Sequence, residues 1–124
     1  MITEVSSRPI LVVEDDAEIL NTVSSILELE GYTVERARNG QEGLLSVERT
    51  RPKLVLLDMR MPVLDGWGFV DALKERGIKL PIVVMTAAQD ARRWASEIDA
   101  EGFLAKPFEL LDLLSAVETL QSTT

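Results

Sequence analysis

Ile10-Leu11-Val12-Val13-Glu14-Asp15-Asp16 opens with four aliphatic residues in a row and closes on three acids. A short run that is apolar at every position reads as a strand covered on both faces, since a strand with one wet face would alternate. The same pattern returns at Lys53–Leu57, followed by Asp58, and at Pro81–Thr86. Two less aliphatic stretches, Thr33–Ala37 and Gly102–Ala105, complete five strand candidates. Between them lie segments of helical period. The first, about Ala17–Glu30, carries Ile19, Leu20, Val23, Ile26 and Leu27 on one stripe, and the second, about Gln41–Glu48, carries Leu44, Leu45 and Val47. The third, about Gly66–Glu75, turns Phe69, Val70 and Leu73 inward, and the fourth, about Asp90–Ile98, has Ala91, Trp94, Ala95 and Ile98 on one face. A fifth is expected to begin near Pro107, which suits a first helical turn, and to present Leu110, Leu111, Leu114, Val117 and Leu120. Alternation of this kind specifies an α/β fold, a five-stranded doubly wound parallel sheet with helices on both faces. The units fill the 124 residues as a single domain with a core at about residues 9–120, and residues 1–8 and 121–124 are expected to fray.

Composition narrows the chemistry. The chain has neither Cys nor His, so disulfides, most zinc sites, Ser-His triads and imidazole acid–base work are all excluded. Reactivity must come from carboxylates, hydroxyls, Lys or Arg. With 13 Lys and Arg against 21 Asp and Glu the net charge is −8, which opposes attraction to phosphate backbones and argues against a direct nucleic-acid partner. No apolar run approaches the roughly 18 residues of a membrane span, and the first residues lack the apolar core of a secretory signal. A cytoplasmic protein with no membrane insertion is expected.

In an open parallel sheet, ligands bind beyond the carboxyl ends of the strands, at the point where strand order reverses. Glu14, Asp15 and Asp16 end the first strand candidate and Asp58 follows the third. If those strands are neighbours, the acids converge, at a cost of several kcal/mol unless protons or a cation offset their repulsion. A donor set made only of oxygen favours Mg²⁺ or Mn²⁺. Asp16 is most simply an N-cap of the first helix, and Asp65-Gly66 a turn and helix start. Asp58, directly after an aliphatic strand, has no comparable structural role. Thr86 and Lys106 bring a hydroxyl and an ammonium to the same edge. Two or three acids, one metal, one hydroxyl and one ammonium together suit a phosphoryl group held on a carboxylate.

The segments that carry this site resemble the response-regulator receiver domain (CheY-like) of two-component signal transduction. They are Ile10 to Asp16, Leu56-Leu57-Asp58-Met59-Arg60-Met61-Pro62-Val63-Leu64-Asp65-Gly66, Val84-Met85-Thr86-Ala87 and Gly102-Phe103-Leu104-Ala105-Lys106-Pro107-Phe108. The resemblance covers about Pro9 to Leu120. It implies a flavodoxin-like sheet of order 2-1-3-4-5, with Asp58 as phosphoacceptor and Mg²⁺ held by Glu14, Asp15, Asp58 and the backbone carbonyl of Arg60. Thr86 would be the switch hydroxyl, Phe103 the switch aromatic and Lys106 the phosphate-binding lysine, with a cis Lys106-Pro107 bond. A histidine kinase or phosphotransfer protein would donate the phosphoryl group. A downstream protein target would read the surface of the fourth helix, fifth strand and fifth helix. The chain would then be a substrate and switch, not a turnover enzyme.

Two departures from the family pattern stand out. Thr86 to Lys106 spans 20 positions, shorter than the family spacing, which implies a contracted fourth helix or contracted flanking loops. Arg60, two residues after the phosphoacceptor, with Ala88 two after Thr86, bears on access of the hydrolytic water, and a shielding Arg60 implies slow self-dephosphorylation. A metal-dependent phosphatase of the haloacid type also uses a strand-end Asp, but that family carries a second acid where this chain has Arg60. A degenerate receiver, binding partners without phosphorylation, is the other alternative, although every expected chemical position is filled. Trp67 and Trp94 read as partly buried packing or, for Trp94, as an exposed partner anchor. Arg92-Arg93 reads as solvated surface.

Overall fold

The computed structural model describes residues 8–121. Of the ends expected to fray, residues 1–8 and 121–124, all but Arg8 and Gln121 lie outside those described residues, and Gln121 is the last residue of α5. Strands and helices alternate as β1 (Ile10–Val13), α1 (Ala17–Leu29), β2 (Val34–Ala37), α2 (Gly40–Thr50), β3 (Leu54–Asp58), α3 (Gly66–Glu75), β4 (Ile82–Ala87), α4 (Ala88–Glu97), β5 (Gly102–Lys106) and α5 (Leu110–Gln121). The five strands form one parallel sheet in the order β2-β1-β3-β4-β5. This is the doubly wound α/β fold expected from the sequence.

Alternation along the strands divides the core into two layers. Leu11, Val13, Val55, Leu57 and Val84 pack against Leu44 and Val47 of α2, Phe69, Val70 and Leu73 of α3, and Ala95 of α4. Their neighbours Ile10, Val12, Leu54, Leu56, Val83 and Met85 pack against Leu20, Val23 and Leu27 of α1 and Leu113 and Val117 of α5. β1 and β3 are buried at every position because both faces are covered. Asp16 caps α1 as expected, its Oδ1 accepting the N–H groups of Glu18 and Ile19 at 2.9 and 3.1 Å. Asp65 likewise caps α3 by accepting the Gly68 N–H at 2.9 Å. Gly66 is obligatory for a steric reason, because a Cβ there would stand 2.8 Å from the Met59 Cα.

The fifth helix differs from expectation. It starts at Leu110, three residues after Pro107. Asp112 accepts the Glu109 N–H at 3.2 Å, and the Leu113 N–H donates to the Glu109 carbonyl at 3.1 Å, an arrangement of the capping-box kind that fixes the first turn. Leu110 and Leu111 therefore face solvent, and Leu113, absent from the expected stripe, is fully buried. Between Thr86 and Lys106, no loop separates β4 from α4: Ala88 begins the helix directly after the last strand residue.

Two buried hydroxyls, Ser24 in α1 and Ser46 in α2, have no hydrogen-bond partner. An unpaired buried polar group costs about 1–3 kcal/mol, and Ala is the better helix former. Ser24→Ala and Ser46→Ala are each expected to raise the denaturant midpoint by the equivalent of about 1 kcal/mol. A lower midpoint for either variant would contradict the assignment of that hydroxyl as unpaired.

Candidate functional site

The order β2-β1-β3 puts the ends of β1 and β3 side by side, with Val13 opposite Leu57. Glu14 and Asp58 consequently emerge together at the reversal point of the sheet, where the chain turns into α1 and toward α3. Glu14, Asp15 and Asp58 each offer a carboxylate oxygen within 4.8 Å of the others. Glu14 and Asp58 are buried, at 1% and 5% exposure, and Asp15 is exposed. Asp16 takes no part in the cluster beyond its cap, although its N–H donates to Glu14 Oε2 at 3.1 Å.

Lys106 reaches the same point from the end of β5. Its Nζ donates to Glu14 Oε1 at 2.8 Å and stands 3.8 Å from Asp58 Oδ1. The lysine thus sits between the two buried acids and is bonded to Glu14 more closely than to Asp58. Residue 106 is joined to Pro107 by a cis peptide bond. Thr86, the penultimate residue of β4, is buried at 4% exposure and pairs in register with Ala105. Arg60 is exposed, and its backbone N–H approaches Asp58 Oδ1 at 3.4 Å. Phe103 is 40% exposed.

Burial pushes the Asp58 carboxyl up to about 8, with the Glu14 charge as the next cause; Lys106 opposes both, and hydrogen bonds with Glu14 and Asp15 add to the rise. Without added positive charge, this acid keeps its proton at neutral pH. Three ionised carboxylates against a single ammonium would leave an excess of two negative charges at a largely buried point. A hard divalent cation matches that excess and the all-oxygen donors, so the residues fit Mg²⁺ or Mn²⁺.

Pairing of Glu14 with Lys106 joins residues 92 positions apart, and no local pattern announces it. The tryptophans also find each other across elements. Trp67 of α3 and Trp94 of α4 meet edge to face with ring centres 4.9 Å apart, and Trp67 Nε1 donates to Glu97 at 3.0 Å. Both are half-buried, which agrees with a packing role. Arg93 pairs with Asp90 at 2.7 Å and lies over Trp94, whereas the Arg92 guanidinium lies over the Phe103 ring at 5.6 Å.

Residues 10–118 match the family model for the response regulator receiver domain, and the chain belongs to that family. It is 39% identical over 122 residues to the transcriptional regulatory protein PrrA of Mycobacterium leprae, a match covering 97% of this chain and 52% of that protein. The chain spans about half the length of the curated relatives it matches. Among solved structures it resembles the receiver domain of NtrX from Brucella abortus, with a TM-score of 0.84, 29% identity, and coverage of 93% of this chain and 99% of that one. The Vibrio cholerae chemotaxis protein CheY4 gives a TM-score of 0.81 at 30% identity, covering 91% of this chain and 98% of that one.

Proposed function

We propose that the chain is a phospho-accepting switch of a two-component system, in which Asp58 takes a phosphoryl group from a phosphohistidine on a histidine kinase or phosphotransfer protein. What carries this reading is the meeting of Glu14, Asp15 and Asp58 at the sheet's reversal point, with Lys106 between the two buried acids. An Asp58 oxygen attacks phosphorus and a P–O bond forms as the P–N bond breaks. The electron pair remains on the imidazole nitrogen, which takes up a proton. Water later attacks phosphorus, yielding inorganic phosphate and the free carboxylate.

Glu14, Asp15 and Asp58, with the backbone carbonyl of Arg60, would hold the divalent cation, which supplies positive charge opposite the carboxylates and the phosphoryl oxygens. Lys106 neutralises a phosphoryl oxygen once it exchanges its bond to Glu14 for one to the new group. The Thr86 hydroxyl moves to donate to another oxygen, and Phe103 turns inward behind it. This population shift alters the surface of α4, β5 and α5 for a downstream protein target. The net charge of −8 supports a protein target over direct binding to nucleic acid. No helix among the described residues is long and apolar enough to cross a membrane, and in this reading the exchange takes place in the cytoplasm.

Labelled acetyl phosphate with Mg²⁺ tests the assignment. A single stoichiometric label on the protein is expected. Many turnovers of a generic phosphoester would indicate a phosphatase, and no label at all would indicate a degenerate receiver. The exposed Arg60 side chain, two residues after the acceptor, is expected to slow hydrolysis by shielding phosphorus. Arg60→Ala should therefore lose the label severalfold faster in a decay experiment, and an unchanged decay rate would remove the shielding role.

A further inference from the structure

Phe103 on β5 faces outward while its neighbour Leu104 is buried. Register places Phe103 opposite Val84 and Thr86 opposite Ala105. Phe103 and Thr86 therefore share one face of the sheet, separated along β5 only by the small side chain of Ala105. That face is covered by α4, whose Ala95 packs with Val84. From the same helix, Arg92 extends so that its guanidinium carbon stands 5.6 Å from the centre of the Phe103 ring. Among the described residues Arg92 forms no ion pair, in contrast to Arg93, which Asp90 holds at 2.7 Å.

An exposed phenyl ring has no hydroxyl with which to anchor itself in the outward position. A cation over its face supplies the missing attraction, because the ring quadrupole is negative there. We propose that Arg92 is a positioning residue that latches Phe103 outward, so that this contact must break before the ring can turn toward Thr86. The latch rests on the reading of Thr86 and Phe103 as the switch pair. It adds a specific energetic bias toward the unphosphorylated conformation. A ligand that selects the inward conformation binds more weakly by the fraction of molecules the latch holds outward.

Titration of the full chain with beryllofluoride in the presence of Mg²⁺ reads that bias. Arg92→Gln is expected to tighten binding by about two- to fivefold, the range an exposed cation–π contact provides. Arg92→Lys, which keeps a cation, should stay close to the parent, and Arg93→Gln should have no effect. In a Phe103→Leu background, Arg92→Gln should have no further effect, since the guanidinium acts only through the ring. Binding that is unchanged or weaker in Arg92→Gln, or a gain of equal size in the Phe103→Leu background, overturns the proposal. Absence of beryllofluoride binding to the unsubstituted protein would overturn the phosphoacceptor reading instead. The latch is then decided by the NMR exposure of the Phe103 ring, which must shift inward in Arg92→Gln for the proposal to stand.

Discussion

Asp58→Asn is expected to make the metal-free protein more stable than the parent, by a margin that widens as pH rises. The Asp58 carboxyl has an ordinary value of 3.8 in an unfolded chain and is pushed up to about 8 in the fold by burial and the Glu14 charge. A folded-state value above the unfolded one means that the native protein retains a proton the unfolded chain has released. The protonated acid's contribution is fully present below pH 4 or so and is lost as pH climbs through the folded value. Between those limits the stability of the parent falls with a slope approaching 1.4 kcal/mol per pH unit, the full value for one proton. Asn carries no titrating proton at this position and removes that slope. Chemical denaturation of both proteins from pH 4 to pH 8 in the presence of a chelator measures it. Mg²⁺ held at the proposed site would displace the same proton, so its affinity should rise with pH until about 8. Parallel stability profiles for parent and Asp58→Asn would show that Asp58 is not crowded.

Lys106→Met should produce the opposite effect, a loss of about 3 kcal/mol in the metal-free protein at neutral pH, as expected when one partner of a buried ion pair is removed. Glu14 is 1% exposed and bonded to Lys106 Nζ at 2.8 Å. Without the ammonium, its charge keeps the Asp16 N–H, at 3.1 Å, and the hydrogen bond with Asp58. Saturating Mg²⁺ should recover most of the loss by replacing the positive charge. Phosphorylation should nevertheless remain slow in Mg²⁺, because the lysine proposed to neutralise a phosphoryl oxygen is gone. Thermal melts with and without Mg²⁺, beside a labelling time course, separate the two effects. A variant as stable as the parent without metal would contradict the pairing of Lys106 with Glu14.

Much of the architecture was legible because local pattern and tertiary demand coincide in β1, β3 and β4. Their uniform apolarity is intelligible only if both faces are covered, and acids placed after such runs must lie at one edge of a parallel sheet. Asp16 and Asp65 were legible as caps because a cap is a local interaction between a side chain and the next few N–H groups. The start of α5 departs from the sequence expectation for the complementary reason. Pro107 satisfies the general preference for a first helical turn, but the bond from Asp112 back to Glu109 sets the start at Leu110 and rotates Leu113 into the core. At the site, the carboxylates could be brought to one edge by pattern alone. The Lys106 bond to Glu14 and the Arg92 contact with Phe103 could not, since each depends on where α4, β1 and β5 end up in space.

Mass spectrometry after incubation with acetyl phosphate and Mg²⁺ tests the central claim most directly. One phosphoryl group is expected, located on the peptide that contains Asp58, and absent both in Asp58→Asn and in the presence of a chelator. A phosphoryl group on any other residue, or a yield indifferent to the substitution and to the metal, would contradict the account.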